Sequence, residues 1–171
     1  IDEVMNILKL KKEEKGVCEI ANDNAEGQVI ISGNFKSVGS LQNFLKEKKI
    51  KSIQLKVSAP FHCSLMKPAA ISMKEKIKNI TFNKPLYKIV NNVTANSEEN
   101  VERIKELLIE QIFSTVKWRE SLIKMSEKGV KNFIEIGPGK ALTGMVKRTL
   151  KDVNCFSINS ITDIKNFVNE F

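Results

Sequence analysis

The sequence predicts an α/β protein built in two parts, and two patterns of apolar residues support this prediction. In residues 1–57 the apolar periodicity changes between that of helices and that of strands, in the order helix, strand, strand, helix, strand. From residue 58 onward strands alternate with helices, which is typical of a largely parallel sheet covered by helices. One further strand in front of the first part would complete the β-α-β-β-α-β order of the ferredoxin-like unit.

The first part is predicted to contain two helices and three strands. They are, in order, a helix over residues 2–15, strands over 17–21 and 28–32, a helix that ends near 48 and a strand over 53–57. The two early strands flank the turn sequence Asn-Asp-Asn-Ala-Glu-Gly, and Ser37 or Ser40 is expected to cap the second helix. Residue 1 is Ile rather than Met and stands inside an amphipathic pattern, so we expect the natural chain to begin earlier.

The second part alternates predicted helices and strands. The helices cover residues 65–78, 98–113, 116–128, 141–151 and a last segment after 160, and the strands cover 86–91, 132–136 and 153–158. Pro68 falls in the first turn of its helix, where a missing N–H is tolerated. Ser97 is expected to cap one helix, and Ser160 with Asp163 matches a capping box for the last. The sequence NFIEIGPGK predicts a buried strand that ends in a Gly-Pro-Gly turn.

The composition indicates a globular protein with a basic surface. Formal net charge is +8, from 28 basic and 20 acidic residues, and few of the basic residues are arginines. A basic balance favours an acidic partner, but scarce arginine and the lack of an aromatic pair on the first two strands argue against nucleic-acid binding. No apolar run approaches the roughly 18 residues that a membrane helix needs. Three widely spaced cysteines and one histidine argue against a zinc site and indicate free thiols, so we expect a cytoplasmic protein.

The single histidine is the first candidate for chemistry. His62 stands in VSAPFHCSLM, among small residues and between a predicted strand and a predicted helix, which is where α/β proteins place their sites. The N-terminus of the following helix disfavours a charged ring, and a neutral imidazole can act as a general base. A structural role is the alternative for a lone histidine. Cys63 would point to the opposite side of an extended segment and is a poor nucleophile for it.

Two well-known catalytic and binding patterns are absent from the sequence. The G-x-S-x-G elbow that exposes a nucleophilic serine does not occur, and GNFKSVG has the wrong spacing. GPGKALTG lacks the G-x-x-x-x-G-K-[ST] spacing of a phosphate loop, so a tight turn between a strand and a helix is the better interpretation. If His62 is a general base, its nucleophile must therefore come from elsewhere.

Five segments in collinear order resemble the malonyl-CoA:acyl carrier protein transacylase family. They are EGQVIISG (P-G-Q-x-V-I-[AS]-G in the family), VSAPFHCSLMKPAA (the catalytic-histidine segment), ITFNKPLYKIVNNV (I-x-F-x-x-P…V-x-N-V), EQIFSTVKW (Q-L-x-x-P-V-x-W, with Thr115 in place of proline) and FIEIGPGKALTGMVKR (E-x-G-P-G-x-V-L-x-G-L-x-K-R). The resemblance covers essentially all 171 residues. It implies a ferredoxin-like subdomain without its first strand over 1–57, followed over 58–171 by the C-terminal part of an α/β-hydrolase-like subdomain with a mostly parallel sheet.

The resemblance implies a role for the histidine. In this family a serine in G-H-S-L-G attacks the thioester of malonyl-CoA, and a histidine matching His62 takes its proton. The phosphopantetheine thiol of acyl carrier protein then accepts the acyl group. A glutamine matching Gln111 lies beside that histidine, where oxygen from its neighbourhood would fix the imidazole tautomer. The resemblance implies malonyl-CoA as substrate, no bound cofactor and no metal.

Substrate-binding residues are also implied. Asn22, Asn24 and Gln28 match a polar segment near the active-site cleft, with ordinary turn and strand-end hydrogen bonding as the alternative. Phe61 directly before the histidine is the malonyl-type pattern.

Acyl carrier protein is the implied partner. It is strongly acidic, and Lys49 and Lys51 are our candidates for docking it, with an ordinary solvated surface as the alternative. The family's serine elbow, its oxyanion loop and the arginine that pairs with malonate have no counterpart in the sequence. We therefore expect the chain alone to be inactive, to require the N-terminal part of the same enzyme and to be a monomer.

Two other interpretations stay open. The chain could come from the acyltransferase domain of a polyketide synthase, where serine in place of Phe61 would indicate methylmalonyl specificity. It could also be a truncated remnant without catalytic function, or a binding module. The coding sequence ahead of Ile1 would separate these interpretations, since an in-frame G-H-S-x-G supports the enzyme and a stop codon supports the remnant.

Overall fold

The computed structural model describes residues 1–10 and 16–170, and its elements alternate as the sequence predicts. The α-helices are α1 (Asp2–Leu10), α2 (Phe35–Glu47), α3 (Lys67–Lys78), α4 (Val101–Glu110), α5 (Trp118–Glu127), α6 (Ala141–Thr149) and α7 (Ile161–Glu170). The strands are β1 (Cys18–Ala25), β2 (Gln28–Gly33), β3 (Ile89–Val90), β4 (Ser97–Glu98), β5 (Asn132–Ile136) and β6 (Asn154–Ile158). Of the predicted first helix, residues 11–15 lie outside the described residues.

Strands β1 and β2 form an antiparallel hairpin closed by Glu26 and Gly27. Gly27 has φ +71°, which glycine adopts without steric cost. The predicted six-residue turn is therefore wrong, since the strand continues through its Asn-Asp-Asn sequence to residue 25. The reason is a second partner on the other edge of β1, where the Val116 N–H donates to the Ala21 carbonyl at 2.8 Å and the Asp23 N–H donates to the Val116 carbonyl at 2.9 Å.

Helix α2 begins earlier than predicted, and the strand expected after it does not form. Its N-cap residue is Asn34 rather than Ser37 or Ser40. Segment 51–57 contains no strand, and the side chains of Ile53, Leu55 and Val57 are exposed. Alternating residues supply a strand-like face, but a strand also needs a neighbour to pair with, and none of the described strands pairs with this segment.

The segment around α3 and α4 follows the prediction with two corrections. A 3₁₀ turn over Ser64–Met66 leads into α3, whose first turn contains Pro68. Ser97 lies in β4 and is not the cap of α4. That cap is Asn100, whose side-chain oxygen accepts from the Arg103 N–H at 3.0 Å. The predicted strand over 86–91 shortens to Ile89–Val90.

The parallel pair β5 and β6 is the part of the predicted parallel sheet that the structure contains among its described residues. The prediction that β5 is buried is wrong, because none of its residues is fully buried and Ile136 is 80% exposed. The cap of α7 is confirmed, since the Ser160 Oγ accepts from the Asp163 N–H at 3.1 Å. Hydrogen bonds to the Asp163 carboxylate, led by that from the Asn159 N–H, lower its pKa.

The most buried large side chains belong to the middle of the chain. Cys63, Leu107 and Leu122 are each no more than 1% exposed, and they come from the loop before α3, from α4 and from α5. Helix α3 packs against α4, and α5 packs against β1. This arrangement places the segment that contains His62 beside the C-terminal end of α4. None of the described helices has the length and apolar character needed to cross a membrane.

Candidate active site around His62

His62 sits in a left-handed backbone conformation at the end of a tight loop. Its φ is +59°, a region that costs a residue with a side chain roughly 1–2 kcal/mol. The loop is closed locally by the Phe61 N–H, which donates to the Ala59 carbonyl at 3.0 Å. The His62 N–H donates across to the Ile112 carbonyl at 3.3 Å. The loop therefore contacts the residues that follow α4.

The imidazole ring is held by the same segment. Its Nδ1 lies 2.8 Å from the backbone carbonyl oxygen of Gln111. A carbonyl oxygen only accepts hydrogen bonds, so Nδ1 must carry the hydrogen. In the neutral ring Nε2 is then the unprotonated nitrogen, which is the one able to accept a proton. The ring is half-buried, so it is held in place without being closed off from solvent.

These carbonyls are available because α4 ends there. The last four carbonyls of a helix have no partner within the helix. Gln111 is the C-cap of α4, and the chain after it turns, with the Ile112 N–H donating to the Ile109 carbonyl at 3.2 Å. The structure therefore brings Gln111 to His62, through its backbone oxygen.

Cys63 is not a partner of the histidine. Its side chain is fully buried, and its thiol donates to the Pro60 carbonyl at 3.1 Å, within its own loop. This geometry agrees with the sequence argument against a Cys63–His62 pair.

Strand β1 contacts both sides of the His62 site, which was not expected from the sequence. On one side the Glu19 carboxylate accepts from the Ser64 N–H at 2.8 Å and from the Ser64 hydroxyl at 2.6 Å. On the other side the Thr115 hydroxyl donates to the Ile20 carbonyl at 2.6 Å. Glu19 and Ser64 are 45 positions apart, and no local pattern signals such a contact.

The predicted polar segment lies on the β1–β2 hairpin. Asn22 is half-buried and Asn24 is 7% exposed. The Gln28 side chain accepts a hydrogen bond from Arg148. The hydrogen bond of the His62 ring goes to the Gln111 carbonyl, and that of Gln28 goes to Arg148, so neither joins the hairpin to the histidine.

Asp23, which stands between these two asparagines in the sequence, forms an ion pair with Arg119 that was not expected from the sequence. Asp23 is 5% exposed, and Arg119 contacts both of its oxygens at 2.9–3.0 Å. Hydrogen bonding to this carboxylate raises the pKa of Arg119. An aspartate in the middle of a strand with buried alanines is the signal that could have indicated a buried partner.

Phe61 and the two candidate lysines are exposed. The Phe61 ring directly precedes the histidine and is 46% exposed. Lys49 and Lys51 line a surface groove of about 520 Å³ at the C-terminal end of α2, together with Lys46. The three lysines make the groove basic, as a surface for an acidic partner requires.

The Gly-Pro-Gly turn after β5 is not an anion site. The Glu135 carboxylate accepts from the Thr143 N–H at 2.7 Å and from the Leu142 N–H at 3.1 Å, so a negative side chain already occupies the N-terminus of α6. These bonds, with that from Thr143 the largest cause, lower the pKa of Glu135. A phosphate would compete with a carboxylate for the same N–H groups. Within residues 1–10 and 16–170, no three His, Cys, Asp or Glu side chains gather as a metal site would require.

Comparison with known proteins identifies close relatives, although no protein-family model matches the chain. The chain is 37% identical over 169 residues to a malonyl CoA-acyl carrier protein transacylase of Haemophilus influenzae, covering 98% of this chain and 54% of the relative. It is 40% identical over 148 residues to that of Bacillus subtilis, covering 86% of this chain and 47% of the relative. The chain thus spans about half the length of the curated relatives it matches.

Solved structures agree with these relatives. An acyl-carrier-protein S-malonyltransferase from Bartonella henselae superposes with a TM-score of 0.92 at 36% identity, covering 99% of this chain and 54% of that one. A malonyl-transacylase solved in complex with a type II PKS acyl-carrier protein gives a TM-score of 0.91 at 32% identity, covering 98% and 55%. The superpositions confirm the predicted α/β fold, with small sheets as expected for part of that fold.

Proposed function

We propose that this chain, which belongs to the malonyl-CoA:acyl carrier protein transacylase family, supplies the general base for transfer of a malonyl group from CoA to acyl carrier protein. The observation that carries the proposal is the 2.8 Å contact between His62 Nδ1 and the Gln111 carbonyl. That contact leaves Nε2 as the basic nitrogen of the neutral ring. The roles of His62 and Gln111 are therefore those of base and orienting group, respectively.

The proposed reaction has two half-reactions with the same base. His62 Nε2 takes the proton of a serine hydroxyl as its oxygen attacks the thioester carbonyl of malonyl-CoA. The imidazolium returns the proton to the sulfur of CoA, which leaves, and an acyl-serine remains. The thiol of acyl carrier protein then gives its proton to Nε2, attacks the acyl-serine and takes the malonyl group, and the returned proton restores the serine. The thioester already carries an activated acyl group, so these steps need no resident cofactor.

Two features of the site fit this cycle. When the ring gains its proton, the Gln111 carbonyl faces the positive charge, at the helix end that favours cations. Phe61, exposed beside the ring, is proposed to contact the substrate. Asn22, Asn24 and Gln28 are proposed to line the cleft from the hairpin side.

The serine and the malonate-binding group are proposed to come from the part of the relatives that this chain does not match. The three arginines of the chain support this, because each has its own partner. Arg103 pairs with Glu106, Arg119 pairs with Asp23, and Arg148 donates to Gln28. The free carboxylate of a malonyl group would have to compete with these partners.

The completing polypeptide is proposed to cover apolar surface that the structure leaves exposed. Ile134 and Ile136 of β5 are 44% and 80% exposed, and Ile53 of segment 51–57 is 73% exposed. A solved relative superposes with a TM-score of 0.92, and this chain covers only 54% of it. We propose that the unmatched half of such a relative covers this apolar surface. We propose residues 1–57 and 58–171 as the two subdomains, joined through the bonds from β1 to Val116.

Acyl carrier protein is the proposed acyl acceptor, with docking at Lys49 and Lys51. Both line the basic groove at the end of α2, and acidic partners are steered by such surfaces. We propose that the reaction takes place in the cytoplasm, a reducing compartment in which cysteine thiols such as that of Cys63 stay reduced.

The test is reconstitution of the reaction from two pieces. The chain alone is expected to give no malonyl transfer from malonyl-CoA to acyl carrier protein. Addition of, or fusion to, the unmatched part of the Haemophilus influenzae relative is expected to restore transfer. In the reconstituted enzyme His62→Ala should lower kcat by roughly 10²–10⁴-fold, the usual contribution of a general base.

A matched control is Glu75→Ala, an exposed change on α3 that should leave kcat unchanged. Transfer by the chain alone would contradict the proposal. So would a loss below about threefold in His62→Ala, since general-base assistance is worth far more. A folded complex with no transfer at all would favour the remnant interpretation.

A further inference from the structure

We propose that Glu19 is a positioning residue, which holds the loop of His62 so that the ring stays in the Nδ1–H tautomer. This inference deepens the proposed function and rests on it for the catalytic role of His62. The orientation of the ring by Glu19 can be measured without any assay of transfer. Glu19 touches no substrate in this proposal and acts through Ser64.

The contact between Glu19 and the loop is a two-point one. The Ser64 N–H donates to one carboxylate oxygen at 2.8 Å, and the Ser64 hydroxyl donates to the other at 2.6 Å. Hydrogen bonds to an ionised acceptor are shorter and stronger than neutral ones. Ser64 stands two residues after the histidine and begins the 3₁₀ turn that leads into α3. Glu19 therefore fixes the chain immediately after the catalytic ring.

The loop needs such an anchor because its central residue is strained. His62 has φ +59°, and a residue with a side chain keeps that conformation where its surroundings hold it there. The backbone bond from His62 to the Ile112 carbonyl is long, at 3.3 Å. The shorter bonds from Ser64 to Glu19 hold the other side of the strained residue. Without them the backbone at His62 would relax and move Nδ1 away from its acceptor.

The same strand also holds that acceptor. The Ile20 carbonyl accepts from the Thr115 hydroxyl at 2.6 Å, and the Ala21 carbonyl accepts from the Val116 N–H at 2.8 Å. Thr115 and Val116 follow Gln111, whose carbonyl contacts the ring. Three consecutive residues of β1 thus fix both the loop that carries the donor Nδ1 and the segment that carries its acceptor. A residue that only capped the 3₁₀ turn at Ser64 would not need this second set of contacts, whereas a strand that positions the ring would.

The test uses the fact that the protein has one histidine. With ¹⁵N-labelled histidine, the two ring nitrogens give signals that report the tautomer directly, recorded over a series of pH values. The wild-type chain should show Nδ1 protonated and Nε2 unprotonated. Glu19→Ala should populate the Nε2–H tautomer measurably. Glu19→Gln keeps an oxygen for the Ser64 N–H and an N–H for the hydroxyl, so it should retain the wild-type pattern. Glu75→Ala is the matched control and should also retain it.

In the reconstituted enzyme the same variants should separate binding from chemistry. Glu19→Ala should lower kcat by roughly 10–10²-fold, as a misplaced catalytic group does, with KM unchanged within about twofold. Glu19→Gln should restore most of kcat. If Glu19→Ala does not fold, Ser64→Ala removes the hydroxyl contact alone and should shift the tautomer in the same direction by a smaller amount.

A wild-type tautomer in a folded Glu19→Ala or Ser64→Ala chain overturns the inference. The other failure would be a changed tautomer in Glu19→Ala together with full activity of the His62→Ala enzyme. That result would overturn the proposed function and leave the positioning by Glu19 intact. The two failures are therefore distinguishable.

Discussion

Strands β1 and β5 reverse the burial that their residue types would suggest. In β1 two polar residues are buried, Asp23 at 5% and Asn24 at 7% exposure. In β5 two isoleucines are exposed, Ile134 at 44% and Ile136 at 80%. The difference teaches that burial in this protein follows the neighbours that a strand has, and not its hydrophobicity.

The neighbours explain both cases. Strand β1 pairs with β2 on one edge and with Val116 on the other, and α5 and α6 pack against it. Arg119 neutralises its buried aspartate. Strand β5 pairs with β6 and packs against α6, and the described residues offer no cover for the face that carries Ile134 and Ile136. Apolar residues on both faces are typical of a parallel strand covered on both sides, which is what we propose the completing polypeptide provides.

The largest expected effect is a loss of stability on truncating a side chain in the packed core, compared with the same change on the exposed face of β5. Leu122→Ala, at a side chain with 0% exposure in α5, should lower the free energy of unfolding by about 2–5 kcal/mol. Ile136→Ala should change it by less than about 0.5 kcal/mol, because an exposed side chain loses few contacts. Urea unfolding followed by the fluorescence of Trp118, the single tryptophan, measures both. A loss at Ile136 equal to that at Leu122 would show that the face of β5 is covered in solution and would break the comparison.

A smaller effect is expected at the ion pair of β1. Asp23→Asn should lower the free energy of unfolding by about 1.5–3 kcal/mol, because hydrogen bonds to charged groups contribute that much and Arg119 would lose its charge partner. The control is Glu106→Gln, which removes the charge from the exposed pair with Arg103 and should cost much less, because solvent screens exposed ion pairs. Equal losses in thermal or urea unfolding would mean that the burial of Asp23 adds nothing.

The smallest expected effect is on the pH dependence of stability, through Glu135 of β5. Hydrogen bonds from the N-terminus of α6 lower the pKa of Glu135 below its usual value of 4.5, so the folded state binds its proton less readily than the unfolded state. Its contribution to stability is therefore present above about pH 4.5 and is lost as the pH falls through the lowered pKa. Glu135→Gln should show a shallower loss of stability than wild type below that pH, measured by circular dichroism in acid. Identical acid profiles for the two proteins would contradict this.

Local features of the fold were predictable from the sequence. The helices appeared within a few residues of their predicted positions, because apolar periodicity and chain-breaking residues act over one or two turns. Pro68 lies in the first turn of α3, and Ser160 caps α7 as expected. The proposal of His62 as a candidate general base also came from a local pattern, since small residues surround it ahead of a helix, and its catalytic role stays a prediction.

Tertiary contacts decided the features that were predicted wrongly or missed. Segment 53–57 has the alternation of a strand, but pairing needs a partner that is distant in sequence. The contact of Glu19 with Ser64 spans 45 positions and was missed, whereas that of His62 with Gln111, which spans 49, was expected only from the family resemblance. Residue types and spacing therefore determined where the helices lie and which histidine is the candidate for chemistry. Which face is covered, and which oxygen orients the ring, depend on packing between distant segments, because hydrogen bonds and burial are set by proximity in space.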